Sequence, residues 1–201
     1  VGGQERWFVA IVPPDAVGDR VTALKQDCAD RFGTRQALKS PPHITLIPPF
    51  ARSTAEMEPV QQVLAAVAQV RSPFELSLDG FDAFVPRVLF LRPVANPSLE
   101  TLQADLADRC QTNCQIPRDT RPFHAHMTVA FRDWEPAQFH AAWAEFRDRP
   151  FRAQFTVDRL VLLHHRDGRW QVHRSFLFGE RHDQQQEQDL DHASSIERET
   201  L

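Results

Sequence analysis

Lysine is almost missing from this 201-residue chain: only Lys25 and Lys39 occur, and arginine carries nearly all the positive charge. The formal net charge is −4 at pH 7, so the chain lacks the basic excess of a bulk nucleic-acid coat protein. A local basic cleft stays open to it. Arginine clamps phosphate bidentately, although genomic composition accounts for the arginine bias at least as well. Glycine is also scarce: the seven glycines form no G-x-G-x-x-G or G-K-[ST] pattern, which excludes the familiar phosphate-cradling loops. Cysteine occurs three times, at Cys28, Cys110 and Cys114. That odd count, with no second pair beside Cys110 and Cys114 to complete a zinc site, predicts free thiols rather than a disulfide framework. No apolar run approaches ~18 residues, and the first residues lack a charged segment followed by an apolar core. A cytoplasmic protein is expected.

What is present reads as an ordinary globular chain, 42% hydrophobic and 25% charged, long enough for one large domain or two small lobes. Residues 7–12 (WFVAIV) form a short apolar strand ended by two prolines. Val17, Val21, Leu24 and Cys28 then recur at helical spacing, with Asp15 expected as N-cap and Gly33 beyond the end. The strand HITLI follows, then a helix marked by Met57, Val60, Val63, Leu64 and Val67. Residues 74–84 read as a strand kinked near Gly80. The same order returns in the second half: a strand at 87–94, a helix on Leu99, Leu102, Leu106 and Cys110, a strand at 124–131, and a helix on Phe139, Ala142, Trp143 and Phe146. A long strand at 151–165 comes next, and Asp167-Gly168 predicts a two-residue hairpin into a last strand. The halves align with an offset of about 83 residues. The expected fold class is therefore α+β: a bilobal, pseudo-twofold repeat of two β-α-β-α-β units, with mostly antiparallel sheets and a cleft between the lobes. One domain is expected over 1–179, its lobes contributed by roughly 5–84 and 87–179, with an exchange of strands left open. The glutamine-rich stretch 180–201 is expected to be a disordered tail.

The repeat gives weight to two short motifs. His43-Ile44-Thr45 in the first half is matched by His126-Met127-Thr128 in the second. Side chains alternate along a strand, so each strand turns an imidazole and a hydroxyl to one face and apolar residues to the other. Nine histidines in a chain of this length would give roughly half an H-x-T by chance; the signal is the equivalent placement of two copies. Facing one another across a pseudo-twofold cleft, such groups suit phosphoryl chemistry. One neutral imidazole takes a proton while a protonated one gives one up, and two threonine hydroxyls donate to phosphoryl oxygens.

The stretches PPHITLIPPF and FHAHMTVAF, with WFVAIV at the start and RVLFLRP midway, resemble the 2H phosphoesterase superfamily. Within it they are most similar to the bacterial 2′-5′ RNA ligase-like proteins, also called RNA 2′,3′-cyclic phosphodiesterases. The resemblance covers roughly 5–179. It implies a bilobal α+β fold and the opening of a 2′,3′-cyclic phosphate, at an RNA 3′ end or on a small nucleotide, to a 2′-phosphomonoester. It implies no metal and no other cofactor. Carried over, His43 protonates the departing 3′ oxygen, His126 activates water, and Thr45 and Thr128 hold the phosphate; the acid and base labels can be exchanged. Ligation to a 2′-5′ bond would be the reverse reaction. The chain departs from many relatives in having Ala125 before the second histidine, where they have proline. It also has Phe131 where they have arginine, with Arg132 following.

Several further residues are candidate substrate contacts. Strand alternation puts Arg132 on the His126 face, and His124 shares it. Phe50, Phe84, Phe123 and Trp134 lie near the motif strands, where core packing is the default and base stacking the alternative. Arg87 and Arg52 are candidate phosphate contacts or plain solvated arginines. Two other functions stay open on sequence alone: a nucleotide- or RNA-binding module with little turnover, and a metal-dependent hydrolase built from His124, His126, His164, His165 and His173. Against the second, neighbours His164 and His165 point to opposite faces of a strand. No membrane or protein partner is evident.

Overall fold

The fold is taken from a computed structural model that describes residues 3–179. The glutamine-rich stretch expected as a tail lies outside the described residues. Eight strands form one sheet: β1 (Glu5–Ile11), β2 (Ile44–Arg52), β3 (Phe74–Phe84), β4 (Val88–Pro93), β5 (Met127–Phe131), β6 (Arg152–Val157), β7 (Arg159–Arg166) and β8 (Arg169–Leu177). Four helices accompany them: α1 (Asp15–Phe32), α2 (Glu58–Gln69), α3 (Pro97–Cys114) and α4 (Pro136–Phe146). The strand order is β6-β3-β4-β5-β2-β1-β7-β8, and every neighbouring pair is antiparallel. The α+β class and the antiparallel pairing are as the sequence predicts.

The single sheet has two wings, β6-β3-β4-β5 and β2-β1-β7-β8, joined where β2 meets β5. Each half lends strands to the other: β3 from the first half pairs with β4 of the second, and β7 from the second pairs with β1 of the first. The long strand expected at 151–165 is in fact two, broken at Asp158, so that β6 edges one wing and β7 crosses to the other. An unbroken strand could not reach both wings of one sheet.

Local chemistry sets the boundaries. Asp15 is the first residue of α1, while Pro14 occupies the N-cap position with no capping side chain. Proline suits that place because it has no N–H to leave unpaired. Gly33 ends the helix at φ 76°, its N–H bonded to the Ala29 carbonyl. Gly80 (φ 70°) sits where the β3–β4 register slips, the kink that the sequence predicts. Asp167 (φ 50°) and Gly168 (φ 74°) form the two-residue turn between β7 and β8.

All four helices pack on one face of the sheet, α1 and α4 toward β4, β5 and β6, and α2 and α3 toward β2, β7 and β8. Trp7, Val9, Ile44, Leu46, Leu89, Leu91, Met127 and Val129 point into that core. By alternation the partner residues of the same strands turn to the helix-free face, where Phe8, Ala10, Val161 and Leu163 make a second, smaller apolar cluster. That face holds the H-x-T side chains.

Candidate active site

The two motifs meet at the centre of the sheet. β2 and β5 pair through Ile44 and Met127, the middle residues of the motifs. Both are fully buried in the core, so their neighbours face the other way. Carried one residue in either direction, the antiparallel register sets Thr45 opposite His126 and Thr128 opposite His43. Residues opposed in this way have Cβ atoms about 5 Å apart. Each imidazole is therefore flanked across the strand pair by the other motif's hydroxyl.

The imidazoles are held alike. Nδ1 of His43 lies 2.8 Å from the carbonyl oxygen of Pro41, and Nδ1 of His126 lies 2.7 Å from that of His124. A carbonyl oxygen only accepts, so each Nδ1 carries the hydrogen and each Nε2 is left to exchange protons with a ligand. Aromatic rings pack on both. The Phe8 ring centroid is 4.8 Å from that of His43; Phe84 and Phe90 are 5.1 and 5.4 Å from His126. His43 is only half-buried by surface area, yet the protein packed around it lowers its imidazole pKa to about 4, burial being the main cause and the Lys25 charge a lesser one. Burial also lowers His126, with the neighbouring His124 adding to it. Both rings are thus neutral near pH 7 in the unliganded protein.

The loop before His43 is pinned from two sides. Lys25, one of the two lysines, is 2% exposed and donates from Nζ to the carbonyls of Ala37 and Ser40, both at 3.0 Å. Asp133, just after β5, accepts from the Thr34 hydroxyl (2.6 Å) and from the backbone N–H groups of Arg35 (2.7 Å) and Gln36 (3.0 Å). Sequence reasoning missed both anchors. A lone lysine at a helical core position next to an apolar stripe was the available signal for the first.

The other predicted residues divide. Phe84, 38% exposed, stands edge-on to His124 (5.0 Å) as well as His126, so Phe84 and His124 both border the site. Phe50 does not: it pairs with Trp7 and packs into the helix-side core, the face that Ile44 and Leu46 of the same strand also take. Phe123 likewise packs against that core. Arg132 lies past the end of β5 with φ 72°, its guanidinium carbon 5.4 Å from the Phe131 ring centroid, so strand alternation does not carry it to the His126 face. Arg87 is exposed beyond β3, and its carbonyl accepts from the buried Trp134 indole (3.1 Å) and from Arg132 N–H. Arg52 reaches the carbonyls of Cys114 and Gln115 at the end of α3 instead of the site.

The five histidines considered for a metal do not converge. His164 stacks on Trp7 on the helix side (3.8 Å, 4° between planes), with His173 edge-on to the same indole. His165 lies on the other face, against Trp170. Among the described residues no group of three or more His, Cys, Asp or Glu side chains is placed to hold a metal ion. Among them, too, no helix is long and apolar enough to cross a membrane. Two surface depressions, of about 400 and 350 Å³, are lined by none of the motif residues.

Known proteins resemble this chain in sequence and in fold. The chain is 25% identical over 177 residues to a Geobacillus sp. (strain WCH70) protein named "Putative phosphoesterase", the match covering 87% of this chain and 96% of that one. A Bacillus mycoides (strain KBAB4) protein of the same name is 26% identical over 174 residues, covering 85% and 95%. Among solved structures, E. coli LigT in its apo form superposes with a TM-score of 0.65 at 19% identity, covering 89% of this chain and all of that one. TT0787 of Thermus thermophilus gives 0.63 at 20%, covering 88% and 100%. The profile of the 2′-5′ RNA ligase superfamily matches residues 13–169, and the chain belongs to that family.

Proposed function

We propose that the protein is a cyclic phosphodiesterase that opens a 2′,3′-cyclic phosphate, at an RNA 3′ end or on a small nucleotide, to a 2′-phosphomonoester. Family membership supports phosphodiester cleavage or ligation in general. The finer reading rests on one observation, the opposed register of the two motifs with both Nδ1 atoms committed to backbone carbonyls. E. coli LigT has been solved with 3′-AMP and with ATP, which supports a nucleotide as the ligand of this cleft.

In this reading the phosphate lies between the motifs, its non-bridging oxygens accepting from the Thr45 and Thr128 hydroxyls. A water oxygen attacks phosphorus while His126 Nε2 takes its proton. The P–O3′ bond breaks, and protonated His43 gives its Nε2 proton to O3′. The step leaves His126 protonated and His43 neutral; exchange of these two protons with solvent restores the starting pair for the next turnover. The asymmetry of the two rings supports these roles. The more strongly lowered pKa of His43 makes its cation the stronger acid, and the approaching phosphate anion favours that cation. The chemistry calls for no metal, since proton transfer and hydrogen bonding supply the stabilisation.

The test is incubation of a short RNA ending in a 2′,3′-cyclic phosphate with the protein in EDTA. A 2′-phosphate product is expected. Intact nucleotide binding without turnover would replace the enzyme with a binding module, and turnover only on adding a divalent cation would favour a metal-dependent hydrolase.

A further inference from the structure

Beyond His43, the outer wing of the helix-free face carries a cluster that the acid–base chemistry does not use. β7 and β8 pair His165 with Trp170, and β1 and β7 pair Trp7 with His164. The next step of that register sets Arg6 against His165, so Arg6, His165 and Trp170 form a row across three strands. The contacts agree with it: the Arg6 guanidinium carbon is 5.4 Å from the Trp170 ring centroid, and the His165 ring is 4.9 Å from it. Arg6 is exposed and Trp170 half-buried, and among the described residues no carboxylate is paired with Arg6. One phenylalanine links the row to the catalytic centre, as Phe8 lies 4.6 Å from Trp170 and 4.8 Å from His43.

Packing explains part of this. Trp170 caps the small apolar cluster of Phe8, Ala10, Val161 and Leu163. Packing gives no reason for an unpaired guanidinium to lie against the indole on the same face as the reacting groups. An indole with an accessible surface stacks a base, and a guanidinium binds a phosphodiester. The other wing, with Phe84 and His124 beside His126, is left for the terminal nucleoside.

We propose that Trp170, Arg6 and His165 form a second nucleotide subsite, which holds the nucleotide one step 5′ of the cyclic phosphate. The substrate class is then an oligonucleotide end rather than a mononucleotide. This inference rests on the cyclic phosphodiesterase reading.

The experiment compares kcat/KM for 2′,3′-cyclic AMP and for the dinucleotide ApA ending in a 2′,3′-cyclic phosphate, in wild type, Trp170→Ala, Trp170→Phe and Arg6→Gln. Wild type is expected to prefer the dinucleotide. The loss in Trp170→Ala should be greater on the dinucleotide than on the mononucleotide by about 10- to 100-fold, as expected for one stacked base. Trp170→Phe should recover most of it, and Arg6→Gln should lower dinucleotide turnover and flatten its salt dependence. If Trp170→Ala does not fold, the exposed Arg6 carries the same comparison. Equal losses on both substrates, or no wild-type preference, overturn the subsite and leave the hydrolase standing. No turnover of either substrate sinks the hydrolase reading and the subsite with it.

Discussion

Replacing Lys25 by methionine tests how the site is supported, because the effect of pH on this variant can be worked out from the structure. Lys25 is buried under the 36–40 loop, and burial lowers its ammonium pKa to about 7 from the ordinary 10.5. Between those values the unfolded chain binds a proton that the folded chain does not. Stability must therefore rise with pH across that window, and one unit of difference is worth about 1.4 kcal/mol. From pH 7 to pH 10 the lysine alone should add about 4 kcal/mol to the wild type. Methionine abolishes that slope. It also leaves the Ala37 and Ser40 carbonyls without their donor, at about 1–3 kcal/mol each. Near pH 7 this loss opposes the relief of no longer burying a charge, so the variant stays near wild-type stability there and falls behind as pH rises. The chain has no tyrosine to titrate in this range. The buried thiols of Cys28 and Cys110, pushed up to about 12, titrate alike in both proteins and cancel in the difference. Urea unfolding at pH 7, 8, 9 and 10 gives the two curves. Curves that stay parallel within about 1 kcal/mol, less than one unit of pKa difference, would refute the reasoning.

The partner anchor should behave differently. Asp133→Ala should lose about 2–3 kcal/mol at pH 7, since three donors lose a charged acceptor, and Asp133→Asn should recover part of it; urea unfolding reads both. Thr45→Val and Thr128→Val should each lower kcat/KM about 10- to 100-fold on a cyclic phosphate, with serine at either place restoring most of the activity. A valine variant within about twofold of wild type would remove that threonine from the phosphate site.

Much of this was legible in the sequence because it depended on period-two alternation and on a repeat. The H-x-T faces follow from alternation, and the meeting of the motifs follows from their equivalent places in two halves. What escaped the sequence depended on which strands pair over long distances. The break at Asp158 lies inside a run that reads as one strand, and only the need to serve both wings of the sheet reveals it. Strand alternation misplaces Arg132, because counting along a strand fails at a residue of positive φ past its end. Arg6 and Trp170 are 164 positions apart in sequence and become neighbours only because β1 and β8 flank β7. His164 belongs only to the metal-hydrolase alternative, against which strand alternation already argues, and its ring stacks on Trp7.

The central claim is that His43 and His126 work as one acid–base pair. Single-turnover cleavage of an RNA 2′,3′-cyclic phosphate by His43→Ala, His126→Ala and the double variant tests it directly. The account predicts a loss of about 10²–10⁴-fold in each single variant, with the double variant falling far short of the product of the two. Either single variant retaining activity within about tenfold of wild type, or losses that multiply fully, would contradict it.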